Sequence, residues 1–382
     1  MTELAACRTA ALGGHVQQCD TCGRQEVSYN SCRNRHCPKC QGAARAAWLE
    51  ARRAELLPVP YFHLVFTLPH EFAPLALVNP KLVYGLLFQT ARDTLLEVAA
   101  NPQRLGARIG GLMVLHTWGQ NLEHHPHLHC VVPGGGLSPD GQRWIACRSE
   151  KFFLPVKVLS AVFRGKFLAG LNRAWERGQL QFPGRLAGLA QHGGWSGLCA
   201  TVAKKSWVVY AKPPFGGPEQ VLKYLARYTH RVALSNDRLL VLKDGQVTFT
   251  WKNYAAGGQR QRMTLSAVEF LRRFLLHVLP KGLVRIRHFG LWANCHRQAQ
   301  LDRCRRLLDV ASLETPAKPV NQALSPEPPT ALPEPEAPRC AHCGQGRLLL
   351  IERLPPPARG ELRDRVRLFD SPTPRIPFSN TS

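Results

Sequence analysis

Apolar residues in this chain fall partly in short unbroken runs and partly in helical repeats, a pattern that predicts alternating strands and helices. Runs with the length of a buried strand cover residues 61–68, 110–118 and 127–132. Apolar residues three and four positions apart predict helices over 42–57, 81–100, 155–177, 266–278 and 296–309, and a further helix that begins at Pro218.

Shorter strands are expected in the second half of the chain, at 206–211, 238–243, 246–251 and 283–287. Asp244-Gly245 joins the middle two, and this dipeptide is typical of a tight hairpin turn. The strands at 110–118 and 127–132 are joined by a short polar loop, so they are expected to be antiparallel neighbours. The predicted fold class is α+β, with an antiparallel sheet flanked by helices.

Composition divides the 382 residues into four regions. Residues 1–57 are rich in Cys and Arg, and 58–310 contain most of the predicted strands and helices. Residues 311–339 are rich in Pro and are expected to form an extended linker. Residues 340–382 are expected to form a short tail that begins with a knuckle of the pattern C-x-x-C. More than one unit is expected, because single cores stop growing at roughly 250–300 residues.

The charge of the chain favours nucleic acid as its partner. Lys and Arg number 50 against 26 Asp and Glu, a formal net charge of +24, and 45% of the residues are hydrophobic. The hydrophobic share excludes a chain that is disordered throughout, and the positive excess favours binding of polyanions. The N-terminus lacks the pattern of a signal peptide, and no apolar run approaches the ~18 residues of a membrane span. The protein is therefore expected to be cytoplasmic, without a membrane partner.

Closely spaced cysteines near the N-terminus predict a structural zinc site. Two C-x-x-C pairs, separated by fourteen residues, are formed by Cys19, Cys22, Cys37 and Cys40. Two such pairs complete the tetrahedral S4 shell that zinc favours, and a closed shell leaves no position for a substrate. Cys32 and His36 lie between the pairs and could replace one thiolate or hold a second ion.

Other charged and cysteine residues extend this region's possible roles. Arg33, Arg35 and Lys39 lie among the expected ligands, where a rigid metal loop could present them to phosphates. Cys340 and Cys343 form only half a site. That half could be completed by another chain, could be a remnant, or could borrow ligands from Cys295, His296 or Cys304.

Histidines concentrate around the third predicted strand. In a strand alternate side chains share a face, so His127 and His129 point the same way while Leu128 enters the core. Two imidazoles on one strand provide half of a shell for a divalent ion. His125 has the same parity and is the expected third ligand, with alternatives at Gln120, Asn121, Glu123 and His124. No acidic residue follows the pair closely, which disfavours a hydrolase that uses metal-bound water.

Two tyrosines lie one helical turn apart in the helix that begins at Pro218. At positions i and i+4, Tyr224 and Tyr228 share one helix face, a spacing that is also typical of simple packing. Tyrosine can act as a covalent nucleophile, and basic side chains able to hold a phosphate surround the pair at Lys223, Arg227, His230 and Arg231. Together with a metal ion that stabilises the transition state by several kcal/mol, a tyrosine could attack a phosphodiester. The products would be a 5′-phosphotyrosyl DNA and a free 3′-OH.

These features, in this order, resemble those of the two-tyrosine rolling-circle transposases of bacterial insertion sequence family ninety-one, in the HUH endonuclease superfamily. The resemblance covers roughly residues 5–310 and rests on YNSCRNRHCPKCQ (29–41), YFHLVFTLPHE (61–71), HPHLHCVVPGGG (125–136), YLARYTHRVALSN (224–236) and RIRHFGLW (285–292). After about residue 310 the chain departs from the family's pattern.

The resemblance implies an HUH-type sheet preceded by a small zinc-binding domain that helps to recognise the ends of the element. It also implies that His127 and His129 bind Mg²⁺ or Mn²⁺, and that Tyr224 and Tyr228 are the nucleophiles. The expected activity is cleavage and rejoining of single-stranded DNA at element ends and target, at the nucleoid. Alternatives are a replication initiator or relaxase with the same chemistry, and a non-catalytic zinc-dependent DNA-binding regulator.

Overall fold

A computed structural model describes residues 5–34, 37–149, 151–212, 233–234, 236–253, 256–308 and 338–357. The described helices are α1 (Pro38–Arg53), α2 (Ala73–Val78), α3 (Pro80–Ala100), α4 (Val156–Glu176), α5 (His192–Ala203), α6 (Ala267–Leu275) and α7 (Arg297–Leu307). The described strands are β1 (Gly14–Cys19), β2 (Gln25–Tyr29), β3 (Tyr61–Thr67), β4 (Gly110–Trp118), β5 (His124–Pro133), β6 (Gly135–Leu137), β7 (Trp144–Ala146), β8 (Val209–Lys212), β9 (Leu239–Lys243), β10 (Gln246–Asn253), β11 (Gln259–Ser266), β12 (Ile286–Gly290) and β13 (Leu348–Leu354).

The described residues divide into two compact units. The first lies within the ranges Met1–Ala44 and Lys318–Ser382, and the second lies within Arg45–Ala317. In the first unit β1 is the central strand of a sheet with the order β13-β1-β2, antiparallel throughout. The expectation of a separate C-terminal tail is thus corrected, because the knuckle is followed by a strand that pairs with the N-terminal hairpin.

The second unit is built on a five-stranded antiparallel sheet with the order β12-β4-β5-β3-β8. Because side chains alternate along a strand, this register gives the sheet two distinct faces. On the first face Leu64 and Phe66 of β3 lie beside Cys130 and Leu128 of β5. These residues are buried in one core with Phe163 and Phe167 of α4 and with the apolar residues of α3.

The second face carries a smaller core and the histidines. Tyr61, Leu112 and Val131 lie on this face and pack with Trp292 and with Leu301 of α7. The hydroxyl of Tyr61 accepts a hydrogen bond of 2.9 Å from the backbone N–H of Leu57. We call this surface of the sheet the histidine face, because β3, β4 and β5 each place a histidine on it.

A second, smaller sheet has the order β11-β10-β9. Its first turn is the predicted hairpin: Asp244 and Gly245 both have positive φ, at 50° and 68°, as a tight turn between twisted strands requires. Phe249 packs with Phe270 and Phe274 of α6. Ser266 caps the start of helix α6: its hydroxyl accepts a hydrogen bond from the N–H of Glu269 at 3.2 Å, the usual way of satisfying a free amide at a helix start.

The predicted α+β class is confirmed, and the strands expected at 61–68 and 110–118 and the helix at 81–100 form almost as expected. Helix α1 begins four residues earlier than predicted, at Pro38, a residue favoured at the first helical position. Two strands are shifted toward the C-terminus. β8 begins at Val209 because Trp207 is buried among aromatic rings instead. β12 begins at Ile286 because Leu283 lies in a turn after Pro280.

The helix that begins at Pro218 and the greater part of the predicted Pro-rich linker lie outside the described residues. Over the residues that are described, no helix combines the length and apolar character needed to cross a membrane.

Candidate functional site

Three imidazoles meet on the histidine face. His116 on β4 is directly opposite His127 on β5, and His129 lies two residues further along β5. Opposite residues of an antiparallel pair point to the same side, so the three rings converge. Their closest ring nitrogens all lie within 4.8 Å of one another. We call these three residues the imidazole cluster.

The third member of this cluster is His116, and the expectation for His125 is corrected. The register between β4 and β5 shifts between His116 and Trp118, so the alternation that supported His125 does not continue to that position. His125 is exposed and takes part through its backbone carbonyl, which accepts a hydrogen bond of 2.7 Å from Nδ1 of His127.

Two of the alternative third ligands, His124 and Asn121, form hydrogen bonds elsewhere. Nε2 of His124 is 2.8 Å from the hydroxyl of Tyr84, and the side chain of Asn121 accepts from the N–H of Glu123 at 3.3 Å. Neither Glu123 nor His124 belongs to the cluster. Sequence reasoning missed His116 because its role depends on which residue of β4 faces which residue of β5. Pairing β4 with β5 residue by residue, outward from the short loop that joins them, is the sequence signal that could have identified His116.

The separation of the ring nitrogens fits a shared metal ion. Nε2 of His127 and Nε2 of His129 are 3.1 Å apart. In an octahedral shell with bonds of about 2.1 Å, neighbouring ligand atoms are about 3.0 Å apart. In the metal-free protein the same distance suits a hydrogen bond between the two rings, and a divalent cation could take the place of the shared proton.

Hydrogen bonds at the far side of the rings hold these nitrogens in place. Nδ1 of His127 donates to the carbonyl of His125, which leaves Nε2 of His127 with its lone pair. Nδ1 of His129 is 2.7 Å from Nε2 of His63, on the neighbouring strand β3, and the two rings are parallel within 5°. Such outer partners fix the tautomer and the orientation of metal-binding histidines. His63 was not expected from the sequence.

Burial keeps the cluster uncharged. It lowers the pKa of His127 and of His63 to about 4. Burial, followed by the proximity of the other imidazoles, holds the pKa of His116 and of His129 well below the usual range. Only a neutral imidazole can bind a metal ion. The cluster is therefore ready to act as a ligand set at neutral pH.

The donor set distinguishes between candidate metals. Mg²⁺ prefers oxygen ligands, whereas imidazole suits transition metals, and affinity for nitrogen sites rises from Mn²⁺ toward Cu²⁺. Three imidazoles therefore fit Mn²⁺ better than Mg²⁺, and the described part of the cluster contains no carboxylate.

The predicted nucleophiles, Tyr224 and Tyr228, lie outside the described residues, as do the neighbouring Lys223, Arg227, His230 and Arg231. An exposed tyrosine, unlike the buried Tyr61, lies at the edge of the histidine face. Tyr210 of the edge strand β8 is opposite Val65 of β3, and Val65 is opposite His129. Tyr210 is 42% exposed.

Eight of the thirteen cysteines form two clusters in the first unit, so the expected single shell is wrong. The first cluster comprises Cys7, Cys32, Cys37 and Cys40, and the second comprises Cys19, Cys22, Cys340 and Cys343. The hairpin explains the separation. Cys19 lies where β1 turns toward β2, whereas the chain that leads to Cys37 departs from the opposite end, where Tyr29 is opposite Gly14. A strand of six residues separates the two ends by roughly 20 Å.

The first cluster has the dimensions of a tetrahedral zinc site. Sγ of Cys40 is 3.3 Å from that of Cys7 and 3.6 Å from that of Cys32, close to the about 3.8 Å between ligands in a tetrahedral shell with Zn–S bonds of about 2.3 Å. Burial raises the pKa of Cys40, but hydrogen bonds from Cys7 and Cys32 outweigh this effect and lower it to about 6. The sequence predicts Cys32 as an additional ligand, whereas it gives no signal for Cys7, a lone cysteine.

The basic residues expected among these ligands are only partly described. Arg33 is exposed and has a positive φ of 51°. Lys39 is also exposed, and its Nζ donates to the carbonyl of Cys7 at 2.9 Å. That contact gives Lys39 a role in holding the loop of the first cluster. Arg35 and His36 lie outside the described residues.

Comparisons with known proteins match both units. A family model described as "Putative transposase" matches residues 110–299, and one described as "Transposase zinc-binding domain", of the IS91 type, matches residues 1–68. The chain is 53% identical over 354 residues to "Putative transposase y4qJ" of Sinorhizobium fredii, covering 92% of this chain and 88% of the relative. It is 31% identical over 297 residues to the "Transposase for insertion sequence element IS801" of Pseudomonas savastanoi pv. phaseolicola, covering 77% of this chain and 70% of the relative.

Among solved structures, TrwC complexed with a 27-mer DNA is 14% identical to the chain. The match covers 64% of this chain and 71% of TrwC, with a TM-score of 0.24, which is too low to establish a common fold. The two sequence relatives share a much higher identity with the chain, and they match it over most of its length. The chain therefore belongs to the family of insertion-sequence transposases that carry an IS91-type zinc-binding domain.

Proposed function

We propose that this transposase cuts and rejoins single-stranded DNA at the ends of its own insertion sequence, by a rolling-circle mechanism with 5′-phosphotyrosine intermediates. The observation that supports the proposal best is the imidazole cluster on the central sheet of a chain from a transposase family. Three neutral, buried or half-buried rings, two of them held by outer hydrogen bonds, are costly to assemble, and metal binding would account for them.

His116, His127 and His129 would hold a divalent cation, with Mn²⁺ favoured over Mg²⁺ by the donor set. When bound, the cation supplies charge stabilisation for the phosphodiester in the transition state. His63 and the carbonyl of His125 would orient two of the three ligands by the hydrogen bonds already described.

Tyr224 and Tyr228 are the proposed nucleophiles. The phenolic oxygen attacks phosphorus, so that a bond from tyrosine to phosphorus forms while the bond from phosphorus to the 3′ oxygen breaks. The new bond retains the energy of the phosphodiester, and a later attack by a 3′-OH rejoins the strand without ATP. A second tyrosine, one turn away if the predicted helix forms, would be able to receive a second strand. Lys223, Arg227, His230 and Arg231 are proposed to hold the phosphates.

The proposed partner is DNA, which suits both a transposase and a net charge of +24. The first unit, with Arg33, Arg35 and Lys39, is proposed to help recognise the element ends. Phosphate contacts of this kind position a protein on DNA, and specificity comes from contacts to the bases.

A covalent-adduct assay tests the proposal. Wild-type protein is incubated with Mn²⁺ and labelled single-stranded oligonucleotides that carry the ends of the element flanking the gene. We expect a labelled band that survives SDS and disappears in Tyr224→Phe/Tyr228→Phe. Tyr210→Phe is the matched control, because it removes an exposed phenol on the histidine face and should leave the band intact. An adduct that persists in the double variant, or is lost in the control, would contradict the proposed nucleophiles.

A further inference from the structure

We propose that Cys19, Cys22, Cys340 and Cys343 bind a second structural zinc ion, which fastens the C-terminal knuckle to the N-terminal domain. The zinc-binding family model matches only residues 1–68 and therefore includes neither of the two C-terminal ligands. The proposal is independent of the proposed function, because it concerns how the first unit is assembled.

The four thiols have the spacing of a tetrahedral shell. Sγ of Cys19 is 3.6 Å from that of Cys343, and Sγ of Cys22 is 3.9 Å from that of Cys340. A zinc ion with bonds of about 2.3 Å to sulfur places its ligands about 3.8 Å apart. A disulfide would need a much shorter separation, of about 2.05 Å. No thiol of this cluster belongs to the first one, so the two clusters would hold separate ions.

In both C-x-x-C turns, which we call the N-terminal and the C-terminal knuckle, a backbone amide donates a hydrogen bond to a cysteine sulfur. The N–H of Cys22 donates to Sγ of Cys19 at 3.4 Å, and the N–H of Gly346 donates to Sγ of Cys343 at 3.3 Å. Hydrogen bonds from amides favour the thiolate, which is the form that binds metal. Position 346 has room only for glycine. A Cβ there would overlap Sγ of Cys19 and lie 2.6 Å from a carboxylate oxygen of Asp20.

A backbone ladder brings the two knuckles together. Cys19, the last residue of β1, is opposite Leu348, the first residue of β13. Beyond the ladder, the N–H of Asp20 donates to the carbonyl of Arg347 at 3.0 Å, and the N–H of Arg347 donates to the Asp20 side chain at 2.8 Å. The register thus places both C-x-x-C turns at the same end of the sheet.

Among the described residues, the hydrophobic core at this end of the sheet is small. The buried residues of the local core are Cys19, Cys340 and Leu348, with Cys343 packed against them. A core of this size cannot stabilise a domain without a metal ion or a disulfide. We infer that the ion replaces the missing core, and that the first unit is complete only when residues 340–354 are present.

Zinc content measured on the purified full-length chain tests the inference. The count is made in a His116→Gln background, so that the imidazole cluster contributes little. We expect two zinc ions per chain, one in Cys340→Ser/Cys343→Ser, one in Cys7→Ser/Cys32→Ser, and two in the control Cys295→Ser, whose thiol is exposed and outside both clusters. One zinc ion per chain when all cysteines are present would overturn the inference. A chain mass two daltons below that of the reduced protein, without a second zinc ion, would also overturn it, because that mass indicates a disulfide.

A cleavage experiment does not depend on whether the serine variants fold. A protease site is inserted within residues 309–337, and the otherwise unaltered chain is cut there. We expect the C-terminal fragment to remain with the rest of the chain on a sizing column and to separate once zinc has been removed and its loss verified. Immediate separation, or retention after complete removal of zinc, would contradict a metal clamp.

Discussion

At the residue scale, the imidazole cluster depends on hydrogen bonds that determine which nitrogen of His127 and of His129 faces the shared point. His127 turns Nε2 inward because its Nδ1 is occupied by the carbonyl of His125. His129 is held in the same way from β3, where its Nδ1 meets His63. A ligand set oriented in advance loses less conformational freedom when it binds a metal.

His116 and His125 provide a direct test of this geometry. We expect His116→Gln to reduce adduct formation in Mn²⁺ by at least about 100-fold, because it removes one of three ligands, whereas loss of an outer partner costs only about 10–100-fold. His125→Ala should retain nearly full activity, since the exposed ring is replaced and the carbonyl remains. Adduct yield is measured over a range of Mn²⁺ concentrations.

DNA binding measured by gel shift is the control, and both variants should match wild type. Equal losses of activity in the two variants would contradict the assignment of His116. A loss confined to His125→Ala would restore the ligand that the sequence alone favours.

The residues of this site differ in how far the sequence can predict them. His127 and His129 were found because the two-residue repeat of a strand is a local property. His116 and His63 lie on other strands and join the site only through register, which a repeat along one strand does not specify. The same limit explains why Cys7 was missed.

At the element scale, His277 links the end of α6 to the loop between β4 and β5. It is buried, its Nε2 donates to the carbonyl of Leu122 at 3.1 Å, and its Nδ1 is 3.3 Å from the hydroxyl of Thr117. Burial lowers the pKa of His277 from 6.5 to about 4, although its backbone hydrogen bonds act in the opposite direction.

This shift predicts a pH dependence of stability. The unfolded chain binds the proton near pH 6.5 and the folded chain only near pH 4. The contribution of His277 is therefore complete above pH 6.5 and is lost as the pH falls toward 4. Between pH 7 and pH 5 the loss is up to about 2 kcal/mol.

We expect the fall in melting temperature over this range to be smaller in His277→Gln than in wild type. Thermal unfolding at both pH values measures the difference, and His192→Gln, at an exposed position, is the control. An identical fall in wild type and His277→Gln would contradict a neutral buried His277.

Elements with strong local patterns were predictable from the sequence, and their long-range pairing was not. The hairpin at Asp244-Gly245 and the helix α3 follow from turn chemistry and from a 3.6-residue repeat. The pairing of β13 with β1 joins residues more than 300 positions apart. The close approach of the thiols of the two C-x-x-C turns explains why this edge is chosen.

At the scale of the whole molecule, the charge could be predicted from composition alone and leads to a simple expectation. A protein with ~6–10 phosphate contacts to single-stranded DNA loses roughly 300-fold to 10⁴-fold in affinity between 50 and 200 mM salt. We expect a loss of this size for single-stranded element ends, because the net charge is +24. Fluorescence anisotropy over this salt range measures it. A nearly flat titration would show that charge contributes little to binding.

The most direct test of the central claim is to identify the residue that becomes joined to DNA. The adduct formed with single-stranded element ends and Mn²⁺ is digested with nuclease and protease, and the modified peptide is sequenced by mass spectrometry. We predict a nucleotide remnant on Tyr224 or Tyr228, and no modified peptide when His116→Gln protein is used. A remnant on Tyr210 or on a residue other than tyrosine, or the same yield without the imidazole ligand, would contradict the account.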